Sequence, residues 1–277
     1  MPYISSLHVY PIKSCGGHEL SLAHLDTRGI HQDRSWVVVN AACELVTQRD
    51  QPTLSLVQPA LKENGLLLSA PEMENIFISR EEVGDVKDLY VWGAPCKGID
   101  QGDDAADWFS AYLGMRCRLL YFKPGFVRPV DPDYASSSND QVGFADSFPL
   151  MMISEASLAD LNVRLAEPIR MNRFRPNIVV ADCPPYAEDT WRLIRIGDLE
   201  LDLVKPCGRC STTLVDQESS ALSKEPLKTL STYRIFSGPS PIFGQNLVHR
   251  SQGVLESGMV ITIIELRDSV DFSGSHA

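Results

Sequence analysis

From Ile4 to Phe122 the chain is a succession of short apolar runs, each ended by turn residues, and this punctuation limits the fold more than any other feature. Ile4–Tyr10 alternates and is broken by Gly16-Gly17; Glu19–Leu25, Ser35–Val39, Leu45–Thr47, Leu66–Leu68, Ile76–Ser79, Lys87–Trp92 and Cys117–Phe122 follow. Runs this short at this spacing predict a small β-barrel or sandwich. One helix is predicted among them, Asp103–Leu113, because Ala106, Trp108, Phe109 and Leu113 fall near one face. Lys123–Asn139 then changes character, with Pro124, Gly125, Pro129 and Pro132 ahead of Ser136-Ser137-Ser138-Asn139, and reads as a linker or long loop. Beyond it come a strand at Pro149–Ile153, a helix capped by Ser154 with Leu158, Leu161 and Leu165 in one stripe, and a buried strand at Asn177–Val180. Arg192–Ile196 and Leu199–Val204 form a hairpin around Gly197-Asp198, and Val260–Leu266 closes the series. The fold class expected is mainly β with some α (α+β). Its expected parts are a β-barrel-like domain over 1–123, a second, strand-rich domain over 124–268 and a polar tail over 269–277.

Composition removes several classes of function. A net charge of −11 argues against a nucleic-acid or anionic-membrane binder, and makes any local cluster of Arg and Lys more informative. Seven scattered Cys, an odd number, speak against a disulfide framework and for a reducing, cytoplasmic setting. Met1–Cys15 has no basic region followed by an apolar run, and no stretch is apolar enough to span a bilayer.

The chemistry concentrates at Lys205–Asp216, Lys-Pro-Cys-Gly-Arg-Cys-Ser-Thr-Thr-Leu-Val-Asp. The spacing of Cys207 and Cys210 suits a redox dithiol, half a zinc site or one metal thiolate with a neighbour. Ser211–Val215, rich in Thr and Val, reads as strand rather than the helix a thioredoxin-type pair requires. A tetrahedral zinc site needs a second pair of ligands, which the sequence does not offer. There remain one thiolate ligand to a soft, redox-active metal, or two buried thiols near a turn. Other polar clusters accompany it. Lys13-Ser14-Cys15-Gly16-Gly17 can offer an ammonium, a hydroxyl and backbone N–H groups to a phosphate, or be a solvated turn. Arg34, after Asp33, is either half of an ion pair or aimed at an anion. Arg173 and Arg175 would alternate faces, so one points inward, toward a ligand anion or a distant Asp. Ser237–Asn246 reads as a turn-rich loop whose closing amides can meet the edge of a heterocycle.

Taken together, these segments resemble the MOSC-domain family with its N-terminal β-barrel domain, the group of the mitochondrial amidoxime-reducing component and its bacterial hydroxylaminopurine-resistance relatives. The matching stretches are Tyr10–Gly17, Asp33–Trp36, Ser154–Asn162, Phe174–Asn177, Tyr186–Asp189, Cys207–Cys210, Lys224–Leu230 and Ser240–Gln245. The resemblance implies a molybdenum cofactor, a pyranopterin with a terminal phosphate, and makes Cys210 the thiolate on the metal and the catalytic residue. Lys13, Ser14, Arg34, Arg175, Asn177, Gly208, Arg209 and Asn246 fall on cofactor-binding positions, and Ser147 stands beside the phosphate. Two departures bear on the substrate side: Gln217 follows Asp216 where relatives have Pro, and Asn246 replaces a Tyr of the eukaryotic branch.

The activity implied is reduction of N-hydroxylated compounds such as hydroxylaminopurines, amidoximes and hydroxylamines. The alternatives are a non-catalytic cofactor carrier or a sulfur acceptor. No pyridoxal phosphate is implied, since the pyridoxal-phosphate domain of the sulfurase relatives is not found. The sequence shows neither the Gly-x-Gly-x-x-Gly of a nucleotide-binding strand nor four cysteines at ferredoxin spacing, so no Fe–S cluster is expected in this chain. Electrons are expected from a separate flavoprotein reductase, with or without an iron–sulfur or haem carrier, and neither nucleic acid nor membrane is an expected partner.

Overall fold

A computed structural model describes residues 1–80, 84–236 and 238–267; the polar tail expected at 269–277 lies outside the described residues. In chain order the first strands are Tyr3–Val9 (β1), His18–Leu20 (β2), Leu22–Asp26 (β3), Gly29–Ile30 (β4), Trp36–Asn40 (β5), Gln58–Lys62 (β6), Gly65–Ser69 (β7), Ile76–Ser79 (β8), Val86–Val91 (β9) and Ala94–Asp100 (β10). Helix α1 (Asp103–Leu113) and strand β11 (Cys117–Phe122) follow. Then come β12 (Leu150–Ser154), α2 (Glu155–Arg164), β13 (Ile178–Ala181), β14 (Trp191–Ile196), β15 (Leu199–Gly208), α3 (Leu227–Leu230), β16 (Ile242–His249), β17 (Gly253–Glu256) and β18 (Ile261–Leu266). The molecule is thus mainly β with some α, as its punctuation predicts. No described helix is long and apolar enough to cross a membrane.

Eight strands form the largest sheet, in the order β18-β14-β15-β16-β12-β13-β1-β2. At its centre β12 and β13 run parallel, joined by α2 as the crossover, and both are buried along their length. Their flank is β1, antiparallel to β13, so the first strand of the chain sits in a sheet made mostly of the last. Strand β3 likewise pairs with β17. Hydrogen bonding therefore crosses residue 123 in both small and large sheets. Ile4, Leu7 and Val9 pack with Ile178, Val180, Ile194 and Leu247 in one core. A second core, under the four-stranded β5-β11-β10-β9 sheet and α1, joins Trp36, Val38, Leu54, Phe109 and Leu119.

Three sequence expectations need correction. Ser211–Leu214 is a tight 3₁₀ turn, not strand. Thr213 donates its amide (3.1 Å) and its hydroxyl (2.9 Å) to the Cys210 carbonyl, a local bond that outweighs β-propensity. The Ser237–Asn246 stretch ends in strand β16, and Gln245 is buried and donates to buried Asp189 at 2.6 Å. Leu45–Thr47 is not a strand: only Leu45 bridges, to Val39. The long loop expected at 123–139 is irregular, and buried Arg128 and Val130 anchor it against the body of the protein.

Candidate active site

The site begins where β1 ends. Tyr10 donates its amide to the Asp33 carboxylate (2.8 Å), Arg34 returns an amide to the Tyr10 carbonyl (2.8 Å), and Lys13 donates to the Trp36 carbonyl (2.8 Å). These bonds stitch the Lys13-Ser14 turn to the Asp33-Arg34 turn. Three residues here take left-handed backbone, Ser14 at φ 68°, Arg34 at φ 44° and Arg175 at φ 58°. Side chains rarely adopt that region, and such strain clusters where structure must aim a group. The Tyr10 ring is the common platform: the Arg34 and Arg175 guanidinium carbons lie 4.5 and 4.3 Å from its centroid. Burial pushes the Tyr10 phenol up to about 12, against the pull of Arg175 and Arg34.

Opposite this platform the β15 end and its turn bring Cys207–Cys210. Beside it lies an open cleft. It is lined by Lys13, Ser14, Arg34, Ser147, Arg175 and Asn177 together with Gly208, Arg209, Cys210 and Asn246. Every site residue expected from the sequence is thus brought to one cavity. Arg49, Asp146 and Thr47, also on its wall, had no functional signal in the sequence: Arg49 lies against Trp92 and Asp146 pairs with Lys13, each far along the chain. Tyr10, beneath the guanidiniums, could be read only as a strand residue.

Charge in the cleft opposes that of the whole molecule. Lys13, Arg34, Arg49, Arg173, Arg175 and Arg209 face a single carboxylate, Asp146. Lys13 donates to Asp146 and to the Phe144 carbonyl (2.9 Å), Arg34 pairs with Asp33 at 2.5 Å, and Arg173 with Asp216 at 2.8 Å. Arg173 and Arg34 are therefore ion-paired. Arg175 and Arg209 have no carboxylate within ion-pair distance among the described residues. Arg175 donates to the Cys15 carbonyl (2.6 Å) and reaches Gln217 Oε1 (3.4 Å), while its buried Nη2 has no partner. Burial first, then the Arg34 charge, lower its guanidinium to about 10. Arg209 donates to the Phe174 carbonyl (2.6 Å) and to Cys207 Sγ (2.9 Å), and its buried Nε is also unpartnered. A buried cation held by neutral acceptors alone is costly until an anion joins it.

Smaller contacts arrange the rest. Asn177 accepts from Met151 N and from Arg34 (both 3.2 Å) and donates to the His8 carbonyl (3.2 Å), so its amide orients Arg34. Gln217, the departure noted in the sequence, exchanges amide bonds of 3.0 and 3.1 Å with Gln48, whose other bond (2.8 Å) holds the Ser14 carbonyl. The Cys210 thiol lies 3.4 Å from the Thr212 hydroxyl. Among the described residues no group of three or more His, Cys, Asp or Glu side chains could hold a metal ion. The cleft thus offers thiol sulfur for one metal bond and cations for an anion. That donor set fits a metal carried by an anionic organic cofactor, not a bare ion.

Residues 1–116 match the MOSC N-terminal beta barrel domain and residues 139–262 the MOSC domain. The mitochondrial amidoxime-reducing component 1 of Mus musculus is 37% identical, the alignment covering 92% of this chain and 80% of that protein. Its Homo sapiens counterpart is 36% identical, with 92% and 81% covered. The YUAD protein of Bacillus subtilis is similar to 94% of the chain, over 94% of its own, at 10% identity and a TM-score of 0.40. The chain belongs to the MOSC family, in the group with the MOSC N-terminal beta barrel domain.

Proposed function

We propose that the protein binds a molybdenum cofactor in this cleft and reduces N-hydroxylated compounds. The observation that carries the proposal is Arg175: a buried guanidinium with one nitrogen unpartnered and, among the described residues, no carboxylate within ion-pair distance, at the cavity that also holds Cys210. The similarity to amidoxime-reducing components supports the substrate class. Arg175, Arg209, Lys13, Ser14 and Ser147 would hold the anionic end of the cofactor, and Cys210 would supply the thiolate to the metal. When bound, the cofactor supplies a two-electron centre able to accept oxygen. The net reaction takes two electrons and two protons, breaks the N–O bond, and leaves N–H and water. The protein's own part is to hold the cofactor's charge in a buried site, keep Cys210 at the cleft surface and orient the guanidiniums through Tyr10 and Asn177.

Metal and pterin analysis of protein from a cofactor-competent host, with reduction of an amidoxime by an artificial donor, tests the reading. Molybdenum near one per chain with turnover is expected; Cys210→Ser should abolish turnover with the fold intact, and Cys207→Ser should be milder. Equal loss from both would indicate a dithiol mechanism, and cofactor without turnover would indicate a carrier. We further propose that electrons arrive from a separate flavoprotein reductase, directly or through an iron–sulfur or haem carrier. NADH alone is then expected to give no turnover, and a reductase to restore it with a rate that falls as salt rises.

A further inference from the structure

Beside the mouth of the cleft stands a tryptophan that packing does not explain. Trp36, Trp108 and Trp191 are at most 8% exposed, whereas Trp92 is 61% exposed. It occupies the turn between β9 and β10 at φ 52°, next to Gly93, a backbone region that large side chains avoid. A bulky aromatic is thus held in water on strained backbone, and the surroundings hold it there. The Arg49 guanidinium, itself a wall of the cleft, lies 4.8 Å from the Trp92 ring centroid. Arg49 Nε donates to Thr47 Oγ1 (3.3 Å), another cleft residue, and the Trp92 side chain lies near the Asp146 carboxylate that Lys13 engages. Arg128 fixes the frame from beneath. It donates to the carbonyls of Gly143 (2.8 Å), Ala145 (2.6 Å), Asp146 (2.7 Å) and Val91 (3.4 Å), tying the residue before Trp92 to the loop that carries Asp146.

From this geometry we infer that Trp92 is a specificity-determining residue, the stacking wall for the aromatic body of an aryl or heteroaryl N-hydroxylated substrate. Arg49 stands against one face of the indole, and the rest of the residue is largely open to solvent, outside the rim that Arg49 and Asp146 form. A planar ring laid on the exposed indole at this rim makes a contact that an alkyl chain cannot match. The inference rests on the reductase reading above, and the two can fail separately.

The test compares wild type, Trp92→Ala and Trp92→Phe holoenzyme with an artificial electron donor, on benzamidoxime and acetamidoxime. Trp92→Ala should raise the KM for the aryl substrate roughly five- to ten-fold and lower the aryl-over-alkyl preference by the same factor, and Trp92→Phe should restore most of it. An equal effect on both substrates, or on neither, overturns the inference. So does a change confined to the KM of a protein electron donor, which would make Trp92 part of that docking surface. A second measurement needs no turnover. Because Trp92 is the exposed tryptophan, benzamidine bound against it should protect wild-type fluorescence from iodide quenching, and this protection should vanish in Trp92→Phe. Protection in a protein that reduces nothing would keep the aromatic wall and refute the reductase; turnover without protection would do the reverse.

Discussion

Arg175 shows how far one side chain can commit a fold to a ligand. Its backbone is strained at φ 58°, it lies beneath the surface, and its neighbours there are Arg34, Tyr10 and the Cys15 carbonyl. A base whose folded pKa lies below its ordinary value binds protons less well in the folded state. The corresponding destabilisation is complete at pH 7 and fades only as pH rises through about 10 toward 12.5. Removing the charge should therefore stabilise the ligand-free protein while destroying its affinity for anions. We expect Arg175→Gln, which can still donate to the Cys15 carbonyl, to raise the unfolding free energy of cofactor-free protein by about 1–2 kcal/mol. Pyrophosphate should raise the melting temperature of the wild type, as any ligand of the folded state does, and leave Arg175→Gln unmoved. Urea melts check the first, and thermal melts with and without pyrophosphate the second. A variant less stable than wild type, yet still responsive to pyrophosphate, would make Arg175 a structural residue. The sequence could flag the Arg173–Arg175 pair, but which of them lacked an acid depended on Asp216, 43 residues along the chain from Arg173.

Among the elements, helix α2 depends on a buried carboxylate. Ser154 caps it, accepting from Ser157 N at 3.1 Å, and Glu188 accepts from Ser154 N (3.0 Å) and Ser157 Oγ (2.8 Å). Its second oxygen is buried without a partner, and burial raises its pKa. A carboxyl raised in the folded state holds more protons there than in the unfolded chain. Stability is then lost as pH climbs from the ordinary Glu value of 4.5 through the raised one. Glu188→Gln keeps the accepting oxygen and removes the charge, so it should be more stable than wild type at pH 8 and flatten the change between pH 5 and 8. Urea midpoints across that range decide it; parallel curves for the two proteins would refute the account. The helix itself was legible, because Ser154 and the leucine stripe are local signals, as was α1 over Asp103–Leu113 and the hairpin at Gly197-Asp198. Strand β10 was not, since Pro95 and Gly98 interrupt its apolar pattern, nor was β16, which follows a Pro- and Ser-rich turn. The Thr213 hydroxyl concealed the turn after Cys210 by offering a local partner that strand propensity ignores. Trp92, Arg49 and Asp146 could not be joined from sequence because Arg128, in what reads as a linker, sets their frame.

In the whole molecule the two matched segments, 1–116 and 139–262, follow one another in sequence but are interlocked in space. Strand β1 completes the flank of β13, β3 covers β17, and Ile4, Leu7, Val9, Leu25 and Ile30 fill the core of the large sheet. Burying five such side chains contributes about 1.5–3 kcal/mol each, on the order of 10 kcal/mol together. That is as large as the net stability of a typical domain, so the later residues cannot spare them. The cleft has the same dependence: Lys13, Ser14 and Arg34 come from the first segment, Arg175, Arg209 and Cys210 from the second. A fragment of residues 124–267 should therefore lack a native core, with β13 exposing the unpaired edge that β1 covers. We expect it to show weak near-UV circular dichroism, a broad urea transition and no response to pyrophosphate. Co-expression with residues 1–123 should restore all three, because the missing strands return without a peptide bond at 123–124. A cooperative transition in the fragment alone would show that the second segment closes its sheet without β1, and that the interlock serves the cleft and not the fold.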